Sequence, residues 1–246
     1  MKKQSIVLIL LCFTVNLIAQ EFRWLPEHTE YWNNQPPVVT SGDGNEPPSD
    51  AVILFNGKDL SAWQHTDKSE AKWKIEGGCF TVTKGSGDIQ TKRMFGSCQL
   101  HIEWRTPVET SPRIAGQGEG NSGVYLQSRY ELQIYDSFNI PLYSNGIAGS
   151  IYKQTPPLVN VCRKPGEWQV YDIIYVAPEF NGKGDVITPA RITVIHNGVL
   201  IHNYTEIKGN TEYIGMATYR PHGRLPLLLQ DHGDAVSFRN IWIRDL

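Results

Sequence analysis

Residues 191–207 read RITVIHNGVLIHNYTEI, and this stretch decides the fold. Two runs dense in Ile and Val flank Asn197-Gly198, a pair that accepts the positive φ a type I′ turn demands at both central positions. The segment therefore reads as a tight β-hairpin. The same texture extends from Ala51 to Leu246, in short runs such as AVILF, CQLHIEWRT, WQVYDIIYVA and AVSFRNIWIRDL, punctuated by Gly, Asn, Asp and Pro. No long segment carries a helical period, and no repeat of solenoid or propeller length is present. The class is all-β, and so many strands in one stretch of chain favour a two-sheet jelly-roll sandwich over a small barrel.

Alternation along a strand separates the two faces of a sheet. In residues 99–105, QLHIEWR, Leu100, Ile102 and Trp104 fall on one face, and His101, Glu103 and Arg105 on the other. In residues 130–136, YELQIYD, Tyr130, Leu132 and Ile134 form an apolar row, whereas Glu131, Gln133 and Tyr135 form a polar one. Asp136 has the parity of the apolar row, which places it where the strand ends. Upstream, Gly123, Tyr125 and Gln127 alternate with Val124 and Leu126. Polar rows of this kind ordinarily face solvent and are rich in Lys and Thr. Here amide, carboxylate, phenol and guanidinium stand together, the donors and acceptors that sugar hydroxyls require.

Two further segments carry chemistry. Gln230-Asp231-His232 follows Leu227-Leu228-Leu229, a polar triplet closing an apolar strand, where site residues borne on loops tend to sit. His232 shares a face with Gln230 and reads as functional. His222, between Arg220 and Arg224, fits a structural turn histidine as well as a ligand contact. Gly116, Gly118 and Gly120 have the look of a phosphate cradle, but a strand follows them and no helix opens there. They read as a loop into the hairpin, with Asn121 and Ser122 supplying turn or ligand hydrogen bonds.

The ends and the composition set the context. Residues 1–19 join Lys2 and Lys3 to an apolar run from Ile6 to Ala19, the pattern of a cleaved signal peptide and too short for a membrane span. Cys12 lies mid-run with no small residue before it, which disfavours a lipoprotein. Cleavage near Ala19 predicts a periplasmic or secreted protein with no membrane span. It removes two of 23 basic residues and none of 25 acidic ones, leaving a net charge of −4. With no basic block, nucleic acid is excluded as a partner. Cys79, Cys98 and Cys162 remain, an odd set that allows at most one internal bridge and has no metal spacing. Residues 20–50, rich in Pro, Gly and Asn yet carrying Phe22, Trp24, Tyr31 and Trp32, read as an extended arm packing on the domain formed by 51–246.

Five segments, AVILFNGKDLSAW, WKIEGGCFTV, GDIQTKRMFGSCQLHIEWR, GNSGVYLQSRYELQIYDS and LLLQDHGDAVSFRNIWIRDL, together resemble the 3-keto-disaccharide hydrolase family over Ser49 to Leu246. The resemblance implies a concanavalin A-like fold, related to lectins and glucanases, with a groove on a concave sheet. It also implies an exported enzyme cleaving glycosides whose sugar carries a ketone at C3, by hydrolysis or by elimination. Such a carbonyl acidifies the C2 proton, so the site needs a base near C2, a group holding the enolate oxygen and an acid for the departing oxygen. On this reading Glu131 or His232 is the base or acid, and Arg105, Gln133 and Gln230 grip the sugar and the oxyanion. Tyr125, Asn121 and His222 contact the substrate, His101 and Glu103 line the same groove, and Asp136 orients a neighbour or a metal. A divalent cation, where one is used, would draw on Glu103, His101, Glu131 and His232.

Three other functions compete on the same fold. A non-catalytic carbohydrate-binding module would expose Trp on a flat face, but Trp63, Trp73, Trp104, Trp168 and Trp242 mostly fall on core parities. An endo-glucanase would show Glu-x-Asp-x-x-Glu, where this chain has Glu131, Gln133 and Asp136. A structural or adhesion role finds nothing in the sequence that requires it.

Overall fold

The computed structural model describes residues 23–43, 46–108, 120–139 and 142–246. The signal-peptide segment with Cys12 and most of the Gly116–Gly120 loop lie outside the described residues. Chain contacts separate residues 1–38 from a second compact unit, 39–246. Among the described residues of the first, a 3-10 turn spans Pro26–His28, closed by the Thr29 N–H on the Pro26 carbonyl at 3.1 Å. The second unit begins inside the segment expected to be the arm, and its start is tied down by Asp50, which accepts two hydrogen bonds from Arg244 Nε at 3.1 and 3.0 Å.

The strands are β1 (Val52–Phe55), β2 (Trp63–His65), β3 (Lys74–Glu76), β4 (Cys79–Thr81), β5 (Ile89–Phe95), β6 (Cys98–Arg105), β7 (Ser122–Leu126) and β8 (Tyr130–Ile134). They continue as β9 (Gln169–Val176), β10 (Glu179–Phe180), β11 (Val186–Thr188), β12 (Arg191–His196), β13 (Val199–Glu206), β14 (Leu225–Leu229) and β15 (Ser237–Asp245). One sheet runs β13-β12-β9-β6-β15-β4-β3 with β1 on β15, and a five-stranded sheet runs β2-β5-β14-β7-β8. Strands β10 and β11 form a separate ribbon, and every named pairing is antiparallel. The hairpin that decided the class is β12–β13: Asn197 and Gly198 hold φ of 51° and 83°, and His196 pairs with Val199. The two main sheets bury their inner faces in one core, so the fold is the expected two-sheet sandwich of the jelly-roll class. Among the described residues no helix is long and apolar enough to cross a membrane.

The aromatic centre of the core joins the layers. Phe80 of β4 meets Phe55 edge-on at 4.7 Å, Phe238 of β15 at 5.5 Å and, across the sandwich, Trp63 of β2 at 5.9 Å. Because Phe80 is fully buried among these rings, Phe80→Ala is expected to cost about 3–5 kcal/mol. A lowered urea midpoint at unchanged m-value would show it, and a loss below about 1 kcal/mol would contradict this placement. Cys79 and Cys98 are buried free thiols, and Cys162 Sγ lies 3.9 Å from the Tyr135 carbonyl oxygen.

Two expected core tryptophans lie elsewhere. Trp242 stacks on the His101 ring at 5.3 Å on the outer face of the larger sheet, because the register shift between Arg239 and Trp242, with Asn240 at φ 45°, resets the alternation of β15. Trp168 precedes β9 and lies under two guanidinium groups, Arg105 at 4.6 Å and Arg239 at 4.1 Å.

Candidate active site

The β7–β8 hairpin builds the site. Its register sets Tyr125 opposite Glu131 and Gly123 opposite Gln133, while Val124, Leu132 and Ile134 go into the core. The outward row continues across the sheet through Leu228, Gln90 and Gln64. Alternation ends at Leu126, because Gln127 and Ser128 take positive φ in the turn. Gln127 is thereby turned inward to anchor the hairpin. Its amide nitrogen donates to the Phe95 and Gly223 carbonyls, and its oxygen accepts from Tyr175 at 2.7 Å.

Outside β8, the segment after the 3-10 turn Ser144–Gly146 covers the strand edge. The Gln133 N–H donates to the Ser150 carbonyl, and the Tyr152 N–H to the Glu131 carbonyl at 3.1 Å. Thr211 Oγ accepts from the Glu131 N–H at 2.9 Å. These loops and the residues after β14 enclose a cleft of about 200 Å³ over the hairpin. Its floor is Tyr125, Glu131 and Gln133; Asn121, Gln230 and His232 stand on one side and Tyr152, Thr211 and Tyr213 complete it. Of the residues expected from sequence, the structure therefore brings together Glu131, Gln133, Tyr125, Asn121, Gln230 and His232.

Aspartates hold the loop that carries His232. Asp88 accepts the Asp231 N–H at 2.8 Å, and Asp231 in turn accepts the Gly87 and Gly233 N–H groups at 2.9 Å each. Asp234 accepts the Asn121 N–H at 2.8 Å, which ties the start of the hairpin to the same loop.

The electrostatics centre on Glu131, which is 4% exposed. Burial, reinforced by the negative charge of Asp88 and opposed by a hydrogen bond from Tyr125, pushes its carboxyl up to about 7. Burial and the same carboxylate hold the Tyr125 phenol far above its ordinary value, so it remains a donor. Gln230 Nε2 donates to the Tyr125 oxygen at 3.3 Å, completing a chain from amide to phenol to carboxylate. Gly123 makes this geometry feasible. A Cβ there would lie 2.5 Å from Glu131 Oε1 and 2.8 Å from Tyr125 Cε2. The side-chain oxygens of Gln133 and Gln230 are buried with no hydrogen-bond partner. An orphaned buried acceptor costs stability, and both belong to side chains that line the cleft, as suits acceptors kept for ligand hydroxyls.

The other expected site residues lie elsewhere. His101, Glu103 and Arg105 project from the outer face of the larger sheet, and Glu131 and Gln133 from the outer face of the smaller one, with the core between them. Parity identified both rows correctly as outward, but it cannot say which sheet a strand joins. Arg105 is occupied over Trp168 and does not reach the cleft. Glu103 accepts from Arg239 at 2.6 Å and Asn240 at 2.9 Å; burial works against its charge, but these bonds hold its carboxyl below the ordinary value. His101 Nδ1 lies 2.6 Å from Asp172. The four ligands expected for a divalent cation are thus divided between opposite faces and cannot share one ion. Among the described residues no three His, Cys, Asp or Glu side chains converge as a metal site.

His222 pairs with the Tyr130 hydroxyl at 2.7 Å and packs on Phe180, outside the cleft, and burial lowers its pKa. Asp136 is buried just past β8, where it accepts the Phe138 N–H at 3.1 Å; Tyr135 is buried as well, and neither lines the cleft. Sequence reasoning missed Asp88, Tyr152, Thr211 and Tyr213. Only the last left a trace, an aromatic beside Ile214 in a glycine-bearing loop.

Comparison with known proteins is consistent with this geometry. Residues 50–244 match the family described as the 3-keto-alpha-glucoside-1,2-lyase-like domain. A curated relative from Bacteroides thetaiotaomicron, named 3-keto-disaccharide hydrolase, is 25% identical over 83% of this chain and 82% of its own length. A solved structure from Parabacteroides distasonis, provisionally named a glycosyl hydrolase, is 50% identical with a TM-score of 0.85, covering 90% of this chain and 97% of that one. A second structure from the same organism, with the same provisional name, shares the fold at 23% identity and a TM-score of 0.59, over 80% of this chain and 94% of its own.

Proposed function

Because the chain belongs to the 3-keto-alpha-glucoside-1,2-lyase-like family, we propose that it cleaves the glycosidic bond of 3-keto-glycosides outside the cytoplasm, by elimination through C2 proton abstraction. The observation that carries this is the Glu131 carboxyl, buried and raised to about 7 in a cleft lined by two unpaired amide oxygens. A base poised near working pH suits removal of a proton acidified by the neighbouring ketone. In the proposed reaction the C2–H bond breaks and its proton passes to Glu131. Its electron pair forms the enolate, whose collapse expels the C1 oxygen, and His232 protonates the departing group. The resulting unsaturated ketone takes up water in a later step, giving net hydrolysis.

The Tyr125 proton is engaged by Glu131, so Tyr152 and Tyr213 are the phenols left in the cleft to donate to the enolate oxygen. Gln133 and Gln230 would accept from the sugar hydroxyls. No Lys or Arg is among the lining residues, which suits a neutral sugar over an acidic one. A panel pairing each native glucoside with its 3-keto counterpart is expected to show turnover only of the keto compounds. Equal cleavage of both would point to ordinary glycosidase chemistry, and binding without turnover of either to a carbohydrate-binding module.

A further inference from the structure

A second, open cavity of about 530 Å³ adjoins the cleft and is lined by Tyr143, Asn145, Lys153, Tyr213 and Ile214. The two spaces are continuous in their walls. Tyr213 lines both, and the Tyr143 hydroxyl lies 3.0 Å from that of Tyr152, which lines the cleft. The cleft, at about 200 Å³, is smaller than the usual cavity for a drug-sized ligand and suits a single sugar ring. The other half of a glycoside must therefore lie outside it, and the adjoining cavity is next in line.

The chemistry of that cavity differs from that of the cleft. Ile214 is 83% exposed and Tyr213 69%, an apolar loop surface held in water. Lys153 fixes the loop, donating from Nζ to the Tyr213 carbonyl at 2.9 Å while lying 4.3 Å from the centre of the Tyr213 ring and 5.6 Å from that of Tyr143. A second sugar would need several free donors and acceptors there. Yet the Tyr143 hydroxyl is taken by Tyr152, and Asn145 is the one amide lining the cavity. A flat, apolar ring would instead gain stacking on tyrosine and the burial of Ile214.

Resting on the proposed glycoside-cleaving function, we infer that this cavity is the aglycone site and takes an aromatic aglycone. The test compares wild type with Ile214→Ser, a change at an exposed side chain outside the core. One arm measures kcat/KM for nitrophenyl and methyl 3-keto-glucosides, and for a 3-keto-disaccharide. The other measures calorimetric binding of the unoxidised nitrophenyl and methyl glucosides.

Ile214→Ser is expected to lower the nitrophenyl-to-methyl ratio of kcat/KM about fivefold, through KM, and to weaken binding of nitrophenyl glucoside by a similar factor. Unchanged binding and an unchanged ratio would overturn the assignment, and so would an equal loss with the disaccharide, which would make the cavity a second sugar site. Should wild type turn over no keto substrate while nitrophenyl glucoside binding still depends on Ile214, the catalytic reading falls and the aromatic site stands.

Discussion

Glu131→Gln is expected to lower kcat/KM toward a 3-keto-glucoside by about 10³-fold, within the range a positioned general base supplies. The amide keeps the shape of the carboxyl and can still accept from Tyr125, so the cleft stays assembled and only the proton acceptor is lost. The pH profile separates this from a structural role. In wild type the base form of Glu131 accumulates as pH rises through about 7, so kcat/KM should climb about tenfold per unit below that value and level off above it. The variant should lack this limb. A wild-type profile that instead falls above about 7 would make Glu131 the acid, and an unchanged rate in the variant would remove it from the chemistry.

The same substitution should stabilise the protein at alkaline pH. A carboxyl raised from 4.5 to about 7 by folding imposes no penalty below pH 4.5, where both folded and unfolded forms are protonated. The penalty grows from there to pH 7 and is complete above it. Glutamine escapes it, so urea unfolding at pH 8 should find the variant more stable by up to about 3 kcal/mol, with the difference vanishing toward pH 4. Lost activity with gained stability is the pattern of a group held in an unfavourable environment for function.

What could be read from the chain follows from what alternation does and does not encode. The β12–β13 turn, the apolar rows of β6 and β8 and the all-β class were legible because each rests on local period and on residues with few conformational options, such as Asn197-Gly198. Glu131, Gln133, Tyr125, Gln230 and His232 were legible as a group because they sit on a strand or just past its end. The pairing of strands was not legible. His101 and Glu103 were placed beside Glu131 since both rows face outward, but strand order across 246 residues sends them to opposite sides of the sandwich. Asp136, Tyr135 and Gln127 escaped for a different reason: each lies just beyond the end of a strand, where the ladder that enforces alternation has stopped and, at Gln127, φ is positive. Tyr152, Thr211 and Asp88 reach the site or its charge through loops whose paths no periodicity predicts.

Gly123 supplies the second large effect, at a position with no side chain of its own. It lies within β7 opposite Gln133, and it is absent from the positive-φ glycines, so an L-residue can adopt its backbone without strain. Alanine would on backbone grounds stabilise the strand slightly. Its methyl, however, would lie 2.5 Å from Glu131 Oε1, 3.1 Å from its Cδ and 2.8 Å from Tyr125 Cε2. Each obstructing atom is at the end of a side chain, so the strand can hold while carboxylate and phenol swing away. Displacing a reacting group by about 1 Å costs on the order of 10²-fold in rate, and Gly123→Ala should lose about that much kcat/KM at near-normal stability. Gly123 acts only by positioning, and the discriminating readout is again the pH profile. A carboxyl pushed out of its buried seat is better solvated, so the acidic limb should move from about 7 toward the ordinary carboxylate range. If Gly123→Ala instead retains both the rate and the limb of wild type, Glu131 does not need the space over Gly123, and the geometry assigned to the base is wrong.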